Sequence, residues 1–156
     1  MPSELKWIYI LDDDFKWSCG RTFPEVLYRF ADKNGTLRLE LIQNGGIRIP
    51  AGYAWDGCSP KFAIWDIMIG VPDGVPNHRT KKPKAYYASL VHDSLYQFLD
   101  VGLPMTKEEA DKIFLKLLER DDFYPRKIYY YAVKYFGNCF RHITKLKRGY
   151  KHGRRL

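Results

Sequence analysis

Four residues of this chain have the types and spacing to act together on a substrate: Asp56, His92, Asp93 and Asp111. His92 stands four residues after Ala88, three before Leu95 and seven before Leu99, which puts it on the apolar side of a helix. Asp111 stands three before Phe114 and seven before Leu118, so it also points inward. Asp93 is one step round from His92, at the border of the same face, with Tyr96 one turn further on. A carboxylate turned toward a core is costly unless something pairs with it. The simplest partner for Asp111 is the imidazole of His92, because the short connection 101–105 makes the two helices antiparallel neighbours. At 1.5 Å per residue, His92 lies about 12 Å from the loop end of its helix and Asp111 about 7.5 Å from its cap. An early end to the first helix would bring the two level.

Such a group has specific chemistry. Asp111 would fix the imidazole tautomer of His92, leaving the other ring nitrogen as a general base near neutral pH. Asp93 and Asp56 are oxygen donors for a hard divalent cation, and backbone carbonyls such as that of Gly57 can complete the shell. The cation would polarise a carbonyl or phosphoryl group while His92 deprotonates water. The alternative is structural: a satisfied His–Asp pair that ties two helices together, with Asp56 a turn residue in Tyr53-Ala54-Trp55-Asp56-Gly57-Cys58-Ser59-Pro60.

The elements that must position these residues come in two halves. Residues 1–60 read as strand and turn. Trp7-Ile8-Tyr9-Ile10-Leu11 is a short apolar run stopped by three aspartates, and Val26 to Phe30 precedes the turn signal Lys33-Asn34-Gly35. Leu37 to Leu41 and Ile47 to Ile49 alternate with period two around Asn44-Gly45-Gly46. The pattern predicts an antiparallel β meander. Residues 61–83 are irregular, with a short helix or buried turn before a Pro- and Gly-rich excursion.

From residue 84 to 147 the period becomes helical. Ala88, Val91, Leu95, Phe98 and Leu99 form one stripe, ended near Asp100-Val101-Gly102. Thr106-Lys107-Glu108-Glu109 is a capping box that opens a second helix, whose stripe is Ala110, Ile113, Phe114, Leu117 and Leu118. Pro125 opens a third, with Ile128, Ala132, Tyr135, Cys139 and Ile143 on its inner face. Residues 148–156 form a basic tail. The expected architecture is α+β in one domain, 1–156, with a three-helix region after the strands.

Composition sets the class of partner. The chain has 156 residues, 46% of them apolar, enough for a real core, and a formal charge of +8. The excess gathers at the end, in Arg141, Lys145, Lys147, Arg148, Lys151, Arg154 and Arg155. An anionic partner follows: nucleic acid, an acidic membrane surface or an acidic protein. Cys19, Cys58 and Cys139 are odd in number and widely spaced, against a zinc ribbon or a disulfide scaffold and in favour of a reducing compartment. The N-terminus lacks the basic and apolar regions of a signal peptide, and no segment suits a membrane span.

The order Trp55-Asp56-Gly57-Cys58-Ser59, His92-Asp93-Ser94-Leu95-Tyr96 and Glu109-Ala110-Asp111-Lys112-Ile113-Phe114, approached through Ile49-Pro50-Ala51-Gly52-Tyr53, resembles a phage-associated family called domain of unknown function 1353. The likeness covers roughly residues 47–137. It implies a phage protein, in host cytoplasm or in the virion, with phage structural proteins among its partners; the family name carries no activity. The same motifs are similar to bacterial secreted phospholipases A2. That resemblance implies calcium held by Asp56 and Asp93, His92 as base, Asp111 as its orienter, Tyr96 as a further hydrogen bonder, and a phospholipid or other ester as substrate. The chain departs from those enzymes in its few cysteines, its missing export signal and its long N-terminal meander.

Two functions therefore compete. One is a metal-dependent hydrolase working through His92 and Asp111. The other is a non-enzymatic phage virion or accessory protein that grips nucleic acid or a protein partner through its basic C-terminus. An HD-type phosphohydrolase needs more histidine ligands than His92 and His78 supply, and neither a Walker loop nor a Gly-x-Ser-x-Gly elbow is present.

Overall fold

The computed structural model of the chain describes residues 9–55, 85–124, 126–148 and 154–156, with the side chains of the last helix described to Asn138. In chain order the strands are β1 (Tyr9–Ile10), β2 (Phe15–Ser18), β3 (Leu27–Ala31), β4 (Leu37–Ile42), β5 (Gly46–Ile49) and β6 (Ala54–Trp55). Helices α1 (Tyr86–Phe98), α2 (Lys107–Arg120) and α3 (Arg126–Arg148) follow, and a last strand, β7, is Arg154–Arg155. Strands first and helices after make an α+β fold.

The strands β3, β4 and β5 form the antiparallel meander that alternation predicts, and β2 and β7 extend it to the order β2-β5-β4-β3-β7. Inward positions alternate as the pleat requires: Tyr28 and Phe30 on β3, Leu39 and Leu41 on β4, Ile47 and Ile49 on β5 are all buried. The β4–β5 turn needs glycine at position 45, where φ is +97° and a Cβ would overlap the carbonyl oxygen of Arg21. Arg48 on β5 clamps the outer side, bonding Glu40 and Asp14 at 2.6 Å each.

Helix α1 lies against the inner side of this sheet, with Phe98 stacked on Phe30 at 5.2 Å and Tyr87 on Phe15 at 5.0 Å between ring centroids. The sequence suggests a single apolar stripe, yet every residue of α1 except Tyr87 and Asp93 is buried. The reason is position: the sheet covers one side and α2 and α3 cover the others. Its polar residues are therefore paired. Ser89 accepts from the Trp55 indole at 3.0 Å and donates to the Tyr86 carbonyl, Ser94 donates to Val91, and Gln97 accepts from the Tyr53 hydroxyl at 2.9 Å.

A 3₁₀ turn, Leu99–Val101, ends α1 early, and Gly102 at φ +93° reverses the chain into α2. There the capping box forms as the sequence predicts, Thr106 Oγ1 accepting from the Glu109 amide at 3.2 Å and Glu109 from the Thr106 amide at 2.7 Å. Glu109 also accepts from Arg21. These bonds hold its carboxyl below its usual pKa, the Thr106 amide contributing most.

Helix α3 turns inward a side rotated from the one its pattern suggests, keeping Ala132 and adding Tyr129 and Val133, while the side chains of Cys139 and Ile143 lie outside the described residues. Tyr129, Ala132 and Val133 are buried, whereas Ile128 and Tyr135 are 45% and 70% exposed. Apolar residues fill a wide arc of this helix, opposite Lys127, Lys134 and Asn138, so period alone does not choose which part of the arc lies innermost. Gly137 chooses it: a Cβ there would overlap the Tyr96 hydroxyl and come within 2.9 Å of Lys107 Cε, so α1 and α2 approach α3 on that side.

The chain end is also different from a free tail. Arg154 and Arg155 form β7 against Ala31 and Phe30 of β3, and the Leu156 amide bonds the Arg29 carbonyl at 2.8 Å. An edge strand with unpaired backbone groups on β3 is the physical reason.

Candidate active site

The carboxylate of Asp111 is where three helices meet. His92 Nε2 lies 2.8 Å from its Oδ1, Tyr96 donates to the same oxygen, and Lys107 Nζ donates to Oδ2 at 2.8 Å. Lys107 continues to α3, bonding the Val133 carbonyl at 3.0 Å and the Lys134 carbonyl at 3.2 Å. The early end of α1 brings His92 level with Asp111. Helix periodicity explains the rest: His92 and Tyr96 are four apart on α1, and Lys107 and Asp111 are four apart on α2.

The electrostatics fix the protonation pattern. Asp111 is only 1% exposed, and burial, the largest single influence, pushes its pKa up. The His92 bond and charge, then Lys107 and Tyr96, outweigh it and hold the carboxyl below its usual range. An ionised carboxylate only accepts hydrogen bonds, so the proton between the pair sits on His92 Nε2. In a neutral imidazole the lone pair is then on Nδ1. The ring packs against Tyr96, 3.9 Å away, and Phe114, 4.7 Å away between centroids.

Asp93 is half-buried beside this dyad, with the Tyr53 hydroxyl 3.5 Å from its Oδ2. Tyr53 and Trp55 thus fasten the strand that leads to Asp56 onto α1 at residues 89, 93 and 97. Asp56 and Gly57 themselves lie outside the described residues, as do Lys151 and the side chains of Arg141, Lys145, Lys147 and Arg148. Among the described residues no three His, Cys, Asp or Glu side chains form a metal-holding group, and Asp93 is the only expected ligand within them. Its chemistry, an oxygen donor next to His92, suits a hard cation.

Of the arginines named above as anion contacts, Arg154 and Arg155 lie on β7, and the Arg155 side chain has partners of its own. Arg155 forms an ion pair with Glu25 and lies over the Tyr28 ring at 4.5 Å. Three residues of the site escape a search for catalytic types. Lys107 carries a signal, its i,i+4 spacing to Asp111; Gly137 carries another, a glycine inside a helix where it costs stability. Tyr53 carries none.

No curated protein and no solved structure matches the chain. A family model does match residues 36–133, a stretch that includes Asp56, His92, Asp93, Tyr96, Lys107 and Asp111. The likeness read from motif order is therefore correct at the level of family, and the chain belongs to the one described as Protein of unknown function (DUF1353).

Proposed function

We propose that the chain is a metal-dependent ester hydrolase in which His92 activates water. The observation that carries this reading is the Asp111 carboxylate, which holds Nε2–H at 2.8 Å and so presents Nδ1 as the proton acceptor. Nδ1 takes a proton from water as its oxygen bonds the ester carbonyl carbon. The tetrahedral intermediate then breaks its bond to the alkoxide, and the same proton passes from Nδ1 to the leaving alcohol. The products are an acid and an alcohol, with the imidazole neutral again. Asp111, already accepting from three donors, orients the ring and balances the imidazolium without taking the proton.

Asp93 and Asp56, with the Gly57 carbonyl, would hold the divalent cation, and calcium best suits oxygen-only donors. When bound it would polarise the carbonyl and stabilise the oxyanion. The phospholipase A2 likeness makes a carboxylic ester of a phospholipid the first substrate to try. A phage origin, with a place in the virion or host cytoplasm, belongs to the same proposal.

The test is hydrolysis of phospholipid and nitrophenyl esters with calcium, then with a chelator. His92→Ala and His92→Gln should each lose about 10²–10⁴-fold in rate, while the glutamine variant keeps a donor to Asp111 and stays folded. A full rate in either variant, or no hydrolysis by the wild type with calcium, defeats the reading. Loss of folding in both would make the pair structural.

A further inference from the structure

We infer that the solvent side of α3 is a docking surface for an anionic lipid bilayer. Ile128, Tyr131 and Tyr135 stand at helical spacing on that side and are 45%, 50% and 70% exposed. Burial of Tyr129 and Val133 on the far side, with Ala132 at the border, shows that this strip is not the core face misplaced. The two tyrosine rings run nearly parallel, 14° apart with centroids at 6.3 Å. Lys134 Nζ sits 5.9 Å from one ring and 5.7 Å from the other, and Lys127 is exposed beside them.

Charge selects the partner. From Arg126 to Arg148 the helix carries no acidic residue, in a chain of formal charge +8. An anion therefore meets no like charge from the helix itself, and Glu119 of α2 stands only at its first residue, beside Arg126. Shape selects between anions. Single-stranded nucleic acid is held in grooves where bases stack, whereas this face is the convex side of a helix and fits a flat surface. Tyrosines place an apolar ring below a polar tip, and lysine stems reach up to head groups, as in helices that lie in a membrane interface. Docking is peripheral, because among the described residues no helix is long and apolar enough to cross a membrane. The surface is independent of the hydrolase reading.

The experiment is co-sedimentation of the full chain, in chelator, with vesicles of equal parts phosphatidylglycerol and phosphatidylcholine, and with phosphatidylcholine alone. A single-stranded DNA oligonucleotide is the second probe, read by fluorescence anisotropy. The wild type should bind the anionic vesicles only. The Tyr131→Ser/Tyr135→Ser and Lys127→Glu/Lys134→Glu double variants, all at exposed positions, should each bind about tenfold more weakly with unchanged circular dichroism. Failure to bind anionic vesicles, or binding to the oligonucleotide alone, overturns the proposal. So does a tyrosine variant that binds like the wild type, since net charge would then be enough. Chelator stops metal-assisted cleavage, so the result does not depend on whether an ester is hydrolysed.

Discussion

Asp111 and Arg48 each gather several partners, but in opposite surroundings. Arg48 bridges Glu40 and Asp14 on the outer side of the sheet, with its side chain 28% exposed. Asp111 is 1% exposed and joins His92, Tyr96 and Lys107. On the surface, water competes for every charge and a pair contributes little. In the core no water replaces a lost partner, so removing one group leaves another charge stranded. Similar hydrogen-bond lengths therefore conceal different roles: one network decorates a sheet, and the other defines where three helices sit and which imidazole nitrogen faces the carboxylate.

The largest expected effect comes from Asp111→Ala, which takes the shared acceptor from buried His92 and Tyr96 and breaks the Lys107 pair, and should cost about 3–5 kcal/mol in urea unfolding. The pH dependence gives the sign. The folded pKa of Asp111 is depressed, so its stabilisation is complete above the unfolded carboxylate value, about 3.9, and is lost as pH falls through the lower folded value. The variant should show a flatter acid limb. Some slope should persist from Asp32 and Glu109, whose pKa values are also lowered, Asp32 through Arg38 and two backbone amides that overcome its burial. An unchanged acid limb would mean that Asp111 is not the ion that matters.

Gly137→Ala should have an intermediate effect, about 1–3 kcal/mol, because the new methyl meets the Tyr96 hydroxyl and Lys107 rather than open space. Stability equal to the wild type, or higher as helix propensity alone would give, would show that α3 does not press on the junction. Arg48→Ala should have the smallest effect, a barely shifted urea midpoint, since Asp14 is exposed to water and Glu40 keeps its pair with Arg29. A shift as large as that of Asp111→Ala would erase the contrast between the two networks.

The family, the order of strands and helices, the capping box at Thr106 and the inward turn of His92 and Asp111 are legible in the sequence because each is local. Alternation, a cap and an i,i+3/i+4 stripe need no knowledge of what packs opposite. The innermost line of α3 is not legible, because an apolar arc wider than the buried contact offers period more than one answer. Neither is β7: two arginines have no strand propensity, and only the open edge of β3 recruits them.

By itself, then, the sequence determined that an imidazole and a carboxylate would both face the interior of neighbouring helices, since side-chain direction follows from backbone period. Tertiary structure decided how far apart they would be and who else would join. The early end of α1, the clearance at Gly137 and the reach of Lys107 to the carbonyls of α3 are contacts between elements, and no periodicity within one element contains them.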